Sequence, residues 1–234
     1  MNPVLILQNL TADGPGYLGR WLAHEGVPFT VLNTEAGEPY PPQIDGYRAL
    51  ALLGGEMSAN DELPSLRQAE ALILQAMARN VPVIGHCLGG QLMARALGAR
   101  VIESPRPEIG WQPMRVAHTP RARSWFGAEA ARTVFQWHHE SFELPLGAEL
   151  LAGSDACPHQ AFAIGPHLAM QFHVELDRYK LGVWSASESP AFLRLQEEQS
   201  TVQSGAAMRA QAPVALPAQH RLADRVYSRW LAGD

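Results

Sequence analysis

The sequence predicts an α/β fold: a mostly parallel central sheet with helices on both faces and a small antiparallel extension. Three observations carry that expectation. Short apolar runs at 3–8, 28–32, 48–53 and 81–84 alternate with helix-like stretches, as buried strands joined by crossover helices do. From about residue 100 the pattern changes to short β segments, at 108–118, 132–136, 149–153, 160–165 and 168–174. The chain of 234 residues is 47% hydrophobic and 18% charged, enough apolar material to bury a sizeable core.

Pro3-Val4-Leu5-Ile6-Leu7-Gln8 forms the first strand. No basic stretch precedes it, and the apolar run breaks at Thr11-Ala12-Asp13-Gly14-Pro15, so it reads as a core strand rather than a secretion signal. Gly16 to Glu25 follows as a helix with Leu18, Trp21 and Leu22 on one side and Gly26 as its stop. The strand at 48–53 ends on Gly54-Gly55. Asp61 to Pro64 then open the clearest helix, in which Leu66, Ala69, Ile73 and Met77 recur at helical spacing toward Asn80. Val81-Pro82-Val83-Ile84 is a buried strand that runs into Gly85-His86-Cys87-Leu88-Gly89-Gly90 and a helix over Gln91 to Gly98. Residues 202–219, rich in Ala, Gln, Ser and Pro, read as a loop or loosely held connector. An amphipathic helix near 219–232, with Leu222, Val226, Trp230 and Leu231, packs back on the body. The expected organisation is a main domain over 1–185 and a helical extension over 186–234 packed on it.

Several function classes are disfavoured at once. A formal net charge of -5 and a pI near 6.0 provide no basic field for nucleic acid. No run of about 18 apolar residues exists, so no membrane span is expected. Cys87 and Cys157 are the only two cysteines. They make no disulfide framework, and a free thiol suits a cytoplasmic location. No His/Cys/Asp/Glu spacing resembles a zinc site, and neither metal nor cofactor is expected.

The chemistry concentrates on Gly85-x-Cys87-x-Gly89, where a strand hands over to a helix. A nucleophile on such a turn is exposed, and the flanking glycines relieve crowding. The helix N-terminus favours thiolate over thiol, and its free N–H groups, notably that of Leu88, can donate to an oxyanion. The Gly54-Gly55 pair at a neighbouring strand end is a second place where backbone N–H approaches a substrate. Among nine histidines, His173 stands out. Glu175 lies two residues on, so on an extended segment both project to one side, where a carboxylate can orient an imidazole and stabilise its charged form. Alone, His-x-Glu is more often a surface pair; joined to an elbow cysteine it is the best base available. His86 neighbours the cysteine, but strand alternation points it elsewhere.

Four motifs together resemble a class I, triad-type glutamine amidotransferase domain: Leu53-Gly54-Gly55-Glu56-Met57 followed by Asp61; Gly85-His86-Cys87-Leu88-Gly89-Gly90-Gln91; Gln136-Trp137-His138-His139-Glu140-Ser141-Phe142; and Gln171-Phe172-His173-Val174-Glu175. They span roughly residues 3 to 180 in order and are most similar to stand-alone relatives of the GMP synthase amidotransferase domain. The resemblance implies a flavodoxin-like, three-layer α/β/α fold. It also implies Cys87 as nucleophile, His173 as base and acid, and Glu175 as orienter. Gly55 and Leu88 would be oxyanion donors, and Gly54, Gln91, His138 and Glu140 would line the substrate site. The implied substrate is glutamine or another γ-glutamyl compound, cleaved through a γ-glutamyl thioester. Two departures stand out: Val174 where the family usually has Pro, and His138-His139-Glu140 where His-Gly-Asp is common. No ATP-pyrophosphatase motif or Walker loop is present. Ammonia would therefore pass to a separate synthetase subunit or unidentified acceptor. The alternatives are a γ-glutamyl peptidase acting on glutathione-like peptides or conjugates, and a non-catalytic regulatory protein of the same fold.

Overall fold

The computed structural model describes residues 2–187 and 189–233. Strands β1 (Val4–Gln8), β2 (Phe29–Asn33), β3 (Ala49–Leu52) and β4 (Val83–His86) alternate with helices α1 (Gly16–His24) and α2 (Pro64–Ala78). Helix α3 (Leu88–Ala96) leaves β4 after one intervening residue, and strand β5 (Val101–Val116), helix α4 (Pro120–Phe126) and strands β6 (Ala131–Phe142), β7 (Glu149–Gly153), β8 (Ala161–Ile164) and β9 (His167–Met170) follow. Helices α5 (Arg178–Trp184), α6 (Pro190–Glu198) and α7 (Gly205–Ala232) end the chain.

All nine strands form one sheet in the order β2-β1-β3-β4-β9-β8-β7-β5-β6. The ladders from β2 to β9 are parallel; those from β9 to β6 are antiparallel. Alternation along β1 explains the layers. Val4 and Ile6 join a core with Leu18 and Leu22 of α1 and Tyr227 and Trp230 of α7. Leu5 and Leu7 join the opposite core with Leu66 and Ile73 of α2 and Leu92 of α3. A strand buried on both faces has no polar side to show, so it reads as an unbroken apolar run.

Two sequence expectations are corrected. Residues 202–219 are not a connector: from Gly205 they belong to α7, a helix of 28 residues with Pro213 and Pro217 inside it. Each interior proline removes a helix hydrogen bond at a cost of about 3 kcal/mol. Burial of Met208, Leu216 and Gln219 in the same stretch offsets that loss. The strand expected to reach 174 stops at Met170; beyond it Gln171 N–H donates to Gln160 O and His173 N–H to Phe135 O, drawing the chain off its ladder. Helices α4 and α5 had no sequence expectation, whereas α6 lies within the helical extension expected over 186–234. No helix among the described residues is long and apolar enough to cross a membrane.

Candidate active site

Cys87 is the single residue between β4 and α3, with φ 49° and ψ -110°. A non-glycine residue there carries roughly 1–3 kcal/mol of strain and persists only where its surroundings over-determine it. They do. Its N–H donates to Met170 O at 2.8 Å. The turn is so close that a Cβ on Gly85 would lie 2.5 Å from Gly89 C, and one on Gly89 would lie 2.5 Å from Leu52 O. The two glycines are thus required by backbone approach.

Beyond the end of β9, a turn (Leu176 N–H to His173 O, 3.2 Å) places His173 and Glu175 together. His173 Nδ1 lies 2.7 Å from Glu175 Oε1, which makes Nδ1–H the donor and leaves Nε2 without a hydrogen-bond partner among the described residues. The pairing thus arises from a turn, not from alternation along a strand. Gly54 is the point of convergence: a Cβ there would lie 3.1 Å from both His173 Cε1 and Asp13 Oδ2, and 3.8 Å from Cys87 Cβ. Burial opposes charge on His173. The Glu175 carboxylate and the Cys87 sulfur outweigh it and push its pKa up to about 10. Burial likewise opposes charge on Glu175, yet Lys180, then His173 and His86, hold its carboxyl well below the usual range.

The sequence reading missed this supporting layer. Lys180 is 1% exposed; it pairs with Asp13, and its Nζ lies 3.3 Å from Glu175 Oε1 and 5.1 Å above the Trp184 ring. His86, expected to point elsewhere, is fully buried with Nε2 4.0 Å from Glu175 Oε2. Its Nδ1–H donates to Leu52 O at 3.1 Å, and Tyr227 O–H reaches Nε2 at 3.3 Å. Burial lowers its pKa, against the opposing pull of the Glu175 carboxylate. Gln219 of α7 accepts from Phe135 N–H at 2.7 Å and donates to His173 O at 2.9 Å. Gln171 donates to Cys87 Sγ at 3.5 Å. Of these, only Gln171 carried a signal, the two-residue spacing from His173; the others depend on long-range packing.

Two cavities meet over Cys87. One, of about 230 Å³, is lined by Leu10, Asp13, His173, Val183 and Trp184. The other, of about 700 Å³, is lined by Gln91, His138, Glu140 and Phe192. Gly55, Glu56, Trp137 and Ser187 border both. The predicted Gln91, His138 and Glu140 therefore gather on one side of Cys87. Their polar atoms are partly committed: Gln91 Nε2 donates to Glu140 O at 3.0 Å, Ser58 O–H donates to Glu140 Oε1 at 3.0 Å, and His138 Nδ1 lies 3.1 Å from Glu140 O.

Strand pairing also assembles a trio that no sequence spacing shows. Glu108 and His138 are opposed on β5 and β6, and with Cys157 they present ligand-type atoms within 4.8 Å of one another. Ser154 O–H donates to Glu108 Oε1 at 2.9 Å, Gln160 donates to Oε2, and His138 Nε2 is 3.3 Å from it. Burial pushes the Cys157 thiol up to about 11. The Cys157 thiol donates to His159 O at 3.5 Å while Ser154, Gln160 and His138 surround the Glu108 side chain, so the polar atoms of this buried group have partners within the chain.

The glutamine amidotransferase class-I family model matches residues 18–181, which contain Cys87, His173 and Glu175. The chain is 34% identical to the glutamine amidotransferase-like protein YfeJ of Salmonella typhimurium over 176 residues, 70% of this chain and 73% of that one. It is 32% identical over 143 residues to a glutamine-hydrolyzing GMP synthase subunit of Thermoplasma acidophilum, covering 60% of this chain and 69% of the relative. A glutamine amidotransferase crystal structure from Methylobacillus flagellatus superposes with a TM-score of 0.92 at 38% identity, over 100% of this chain and 95% of that one. With a strained cysteine elbow, a His–Glu pair beside it and these likenesses over most of its length, the chain belongs to the class-I glutamine amidotransferase family.

Proposed function

We propose that the chain hydrolyses γ-glutamyl amides, glutamine being the simplest, through a thioester on Cys87. The observation that carries the reading is the strained Cys87 elbow beside the buried His173–Glu175 pair. In the proposed cycle Cys87 Sγ attacks the γ-carbonyl, and the proton it gives up passes through His173 Nε2 to the departing nitrogen. The carbonyl oxygen is held by the N–H groups of Leu88 and Gly55 while it bears charge. Water then attacks the thioester, His173 takes a proton from it, and glutamate leaves as the thiol re-forms. Glu175 keeps Nδ1 protonated and the ring oriented. Gln91, His138 and Glu140 face the amino-acid end of the substrate, with the committed atoms above acting to set its shape. For glutamine the released ammonia goes to an acceptor on a separate synthetase, by analogy with the relative named as part of a GMP synthase.

A second reading, hydrolysis of larger γ-glutamyl compounds, is favoured by cleft size. Besides the cavity of about 700 Å³ beside Gln91, His138 and Glu140, a further cavity of about 230 Å³ continues past Cys87 on the His173 side, room that ammonia alone does not need.

The test is glutamate release from glutamine by the wild type and by Cys87→Ala, with mass spectrometry of the trapped protein. Turnover should fall at least ~10⁴-fold in the variant, and a γ-glutamyl adduct should map to Cys87. Equal turnover in both proteins, or an adduct elsewhere, refutes the proposal.

A further inference from the structure

The geometry points to a substrate class: γ-glutamyl amides whose nitrogen carries a flat apolar group without a carboxylate, such as aryl amides. This rests on the amidohydrolase reading above and specifies the leaving group.

The first step is to decide which cavity takes which half of the substrate. A general acid must reach the nitrogen it protonates. His173 lines only the smaller cavity, whereas Gln91, His138 and Glu140 line only the larger. The γ-glutamyl half therefore occupies the larger cavity and the leaving group the smaller. Free ammonia needs no room there, yet this side holds about 230 Å³.

The walls then define what fits. Leu10, Ala12, Val183, Trp137 and Trp184 supply apolar surface. Trp184 packs edge-on to the His173 ring, centroids 4.7 Å apart, and against Trp137 at 5.7 Å. Phe192 stacks on Trp137 within 11° of parallel. Aromatic rings prefer such tilted and offset partners, and a flat group beside them gains packing that an ammonium ion cannot.

Charge excludes the competing class. The titratable groups lining the smaller cavity, besides Cys87 and His173, are Asp13 and Glu56, both acidic; no Lys or Arg lines it among the described residues. The nearby cation, Lys180, is buried and held by Asp13 and Glu175. A dipeptide-like leaving group would bring a carboxylate to this side with no Lys or Arg in the lining to receive it. The charge on His173 is already met by Glu175 at 2.7 Å, so the incoming charge would lose water without a partner of its own.

The reaction balances as hydrolysis. The sulfur–carbon bond forms as the carbon–nitrogen bond breaks, with the proton from Cys87 carried by His173 to the departing amine. Water then supplies the hydroxyl for glutamate and returns a proton to sulfur.

The experiment compares kcat/KM for γ-glutamyl anilide, γ-glutamylglycine and glutamine in wild type, Cys87→Ala, Trp184→Ala and Val183→Lys. The anilide should exceed both other substrates by on the order of tenfold or more, the discrimination a modest apolar pocket supplies. Trp184→Ala should lower the anilide value more than the glutamine value. Val183→Lys, adding a cation at an exposed position of the wall, should move preference toward γ-glutamylglycine. If Cys87-dependent hydrolysis of glutamine occurs but the anilide is no better than γ-glutamylglycine, the leaving-group assignment is wrong and the amidohydrolase reading stands. An equal effect of Trp184→Ala on all three substrates also overturns the assignment. If no amide is cleaved and Cys87 takes up no γ-glutamyl group, the amidohydrolase reading fails and this inference with it.

Discussion

Glu175 is a fully buried carboxylate, and a buried charge survives only where partners replace water. Lys180 is the first of those partners, ahead of His173 and His86. Removing one member of a buried ion pair costs about 3–5 kcal/mol, so Lys180→Met should lower the denaturant midpoint correspondingly. It should also move activity. With the ammonium gone, burial raises the Glu175 pKa, and the acid limb of the kcat/KM profile shifts toward neutral pH. A pH–rate series on the folded fraction checks this; an unchanged acid limb would show that Lys180 only supports the fold. Lys180 itself was invisible in the sequence because a lysine at a helix start normally points to solvent. Its burial depends on Asp13, from a loop far away in the chain.

At the scale of elements, β4 and β9 carry the two halves of the site, Cys87 after one and His173 after the other. Their ladder is joined by a side chain: Val83 N–H donates to His167 Nδ1 at 3.1 Å, which requires that nitrogen to be unprotonated. Burial lowers the His167 pKa to about 4. The sign follows from the free value of 6.5. The folded state disfavours the proton, so this stability is complete above pH 6.5 and is lost as pH falls toward 4. The shift corresponds to on the order of 3 kcal/mol. Urea unfolding between pH 7 and pH 4 should show this loss, and His167→Gln should flatten it; an identical slope in the variant would refute the assignment. The parallel elements were legible because buried strands and amphipathic helices leave periodic patterns. The long strands β5 and β6 were underestimated, since proline and charge interrupt them: β5 contains Pro105, Pro107 and Pro113.

For the molecule as a whole, α7 is the element that ties sheet to site. Tyr227 and Trp230 fill the core on the α1 side of the sheet, Tyr227 O–H reaches His86, and Gln219 clamps β6 to the His173 backbone. Trp230→Ala should cost about 3–5 kcal/mol, as emptying a fully buried aromatic site does. Calorimetry or urea titration measures it, and a loss below about 1 kcal/mol (toward the range of surface substitutions) would mean that α7 is not part of the core.

By itself the sequence determined the fold class and pointed to the elbow cysteine Cys87 and to His173 and Glu175. Those signals are local: strand and helix periods, glycines demanded by close backbone approach, and two residues near in sequence, which meet through a turn and not on the strand face that the spacing suggested. Only the tertiary structure decided that 205–232 is one helix despite two prolines, because the apolar burial that outweighs their cost comes from a distant sheet. It alone placed Lys180, His86 and Tyr227 around the buried His173–Glu175 pair, assembled Glu108, His138 and Cys157, and set two cavities of different lining against Cys87. Each of these depends on residues far apart in sequence meeting in a low-dielectric interior, where charge and hydrogen bonding must be satisfied by whatever the fold brings near.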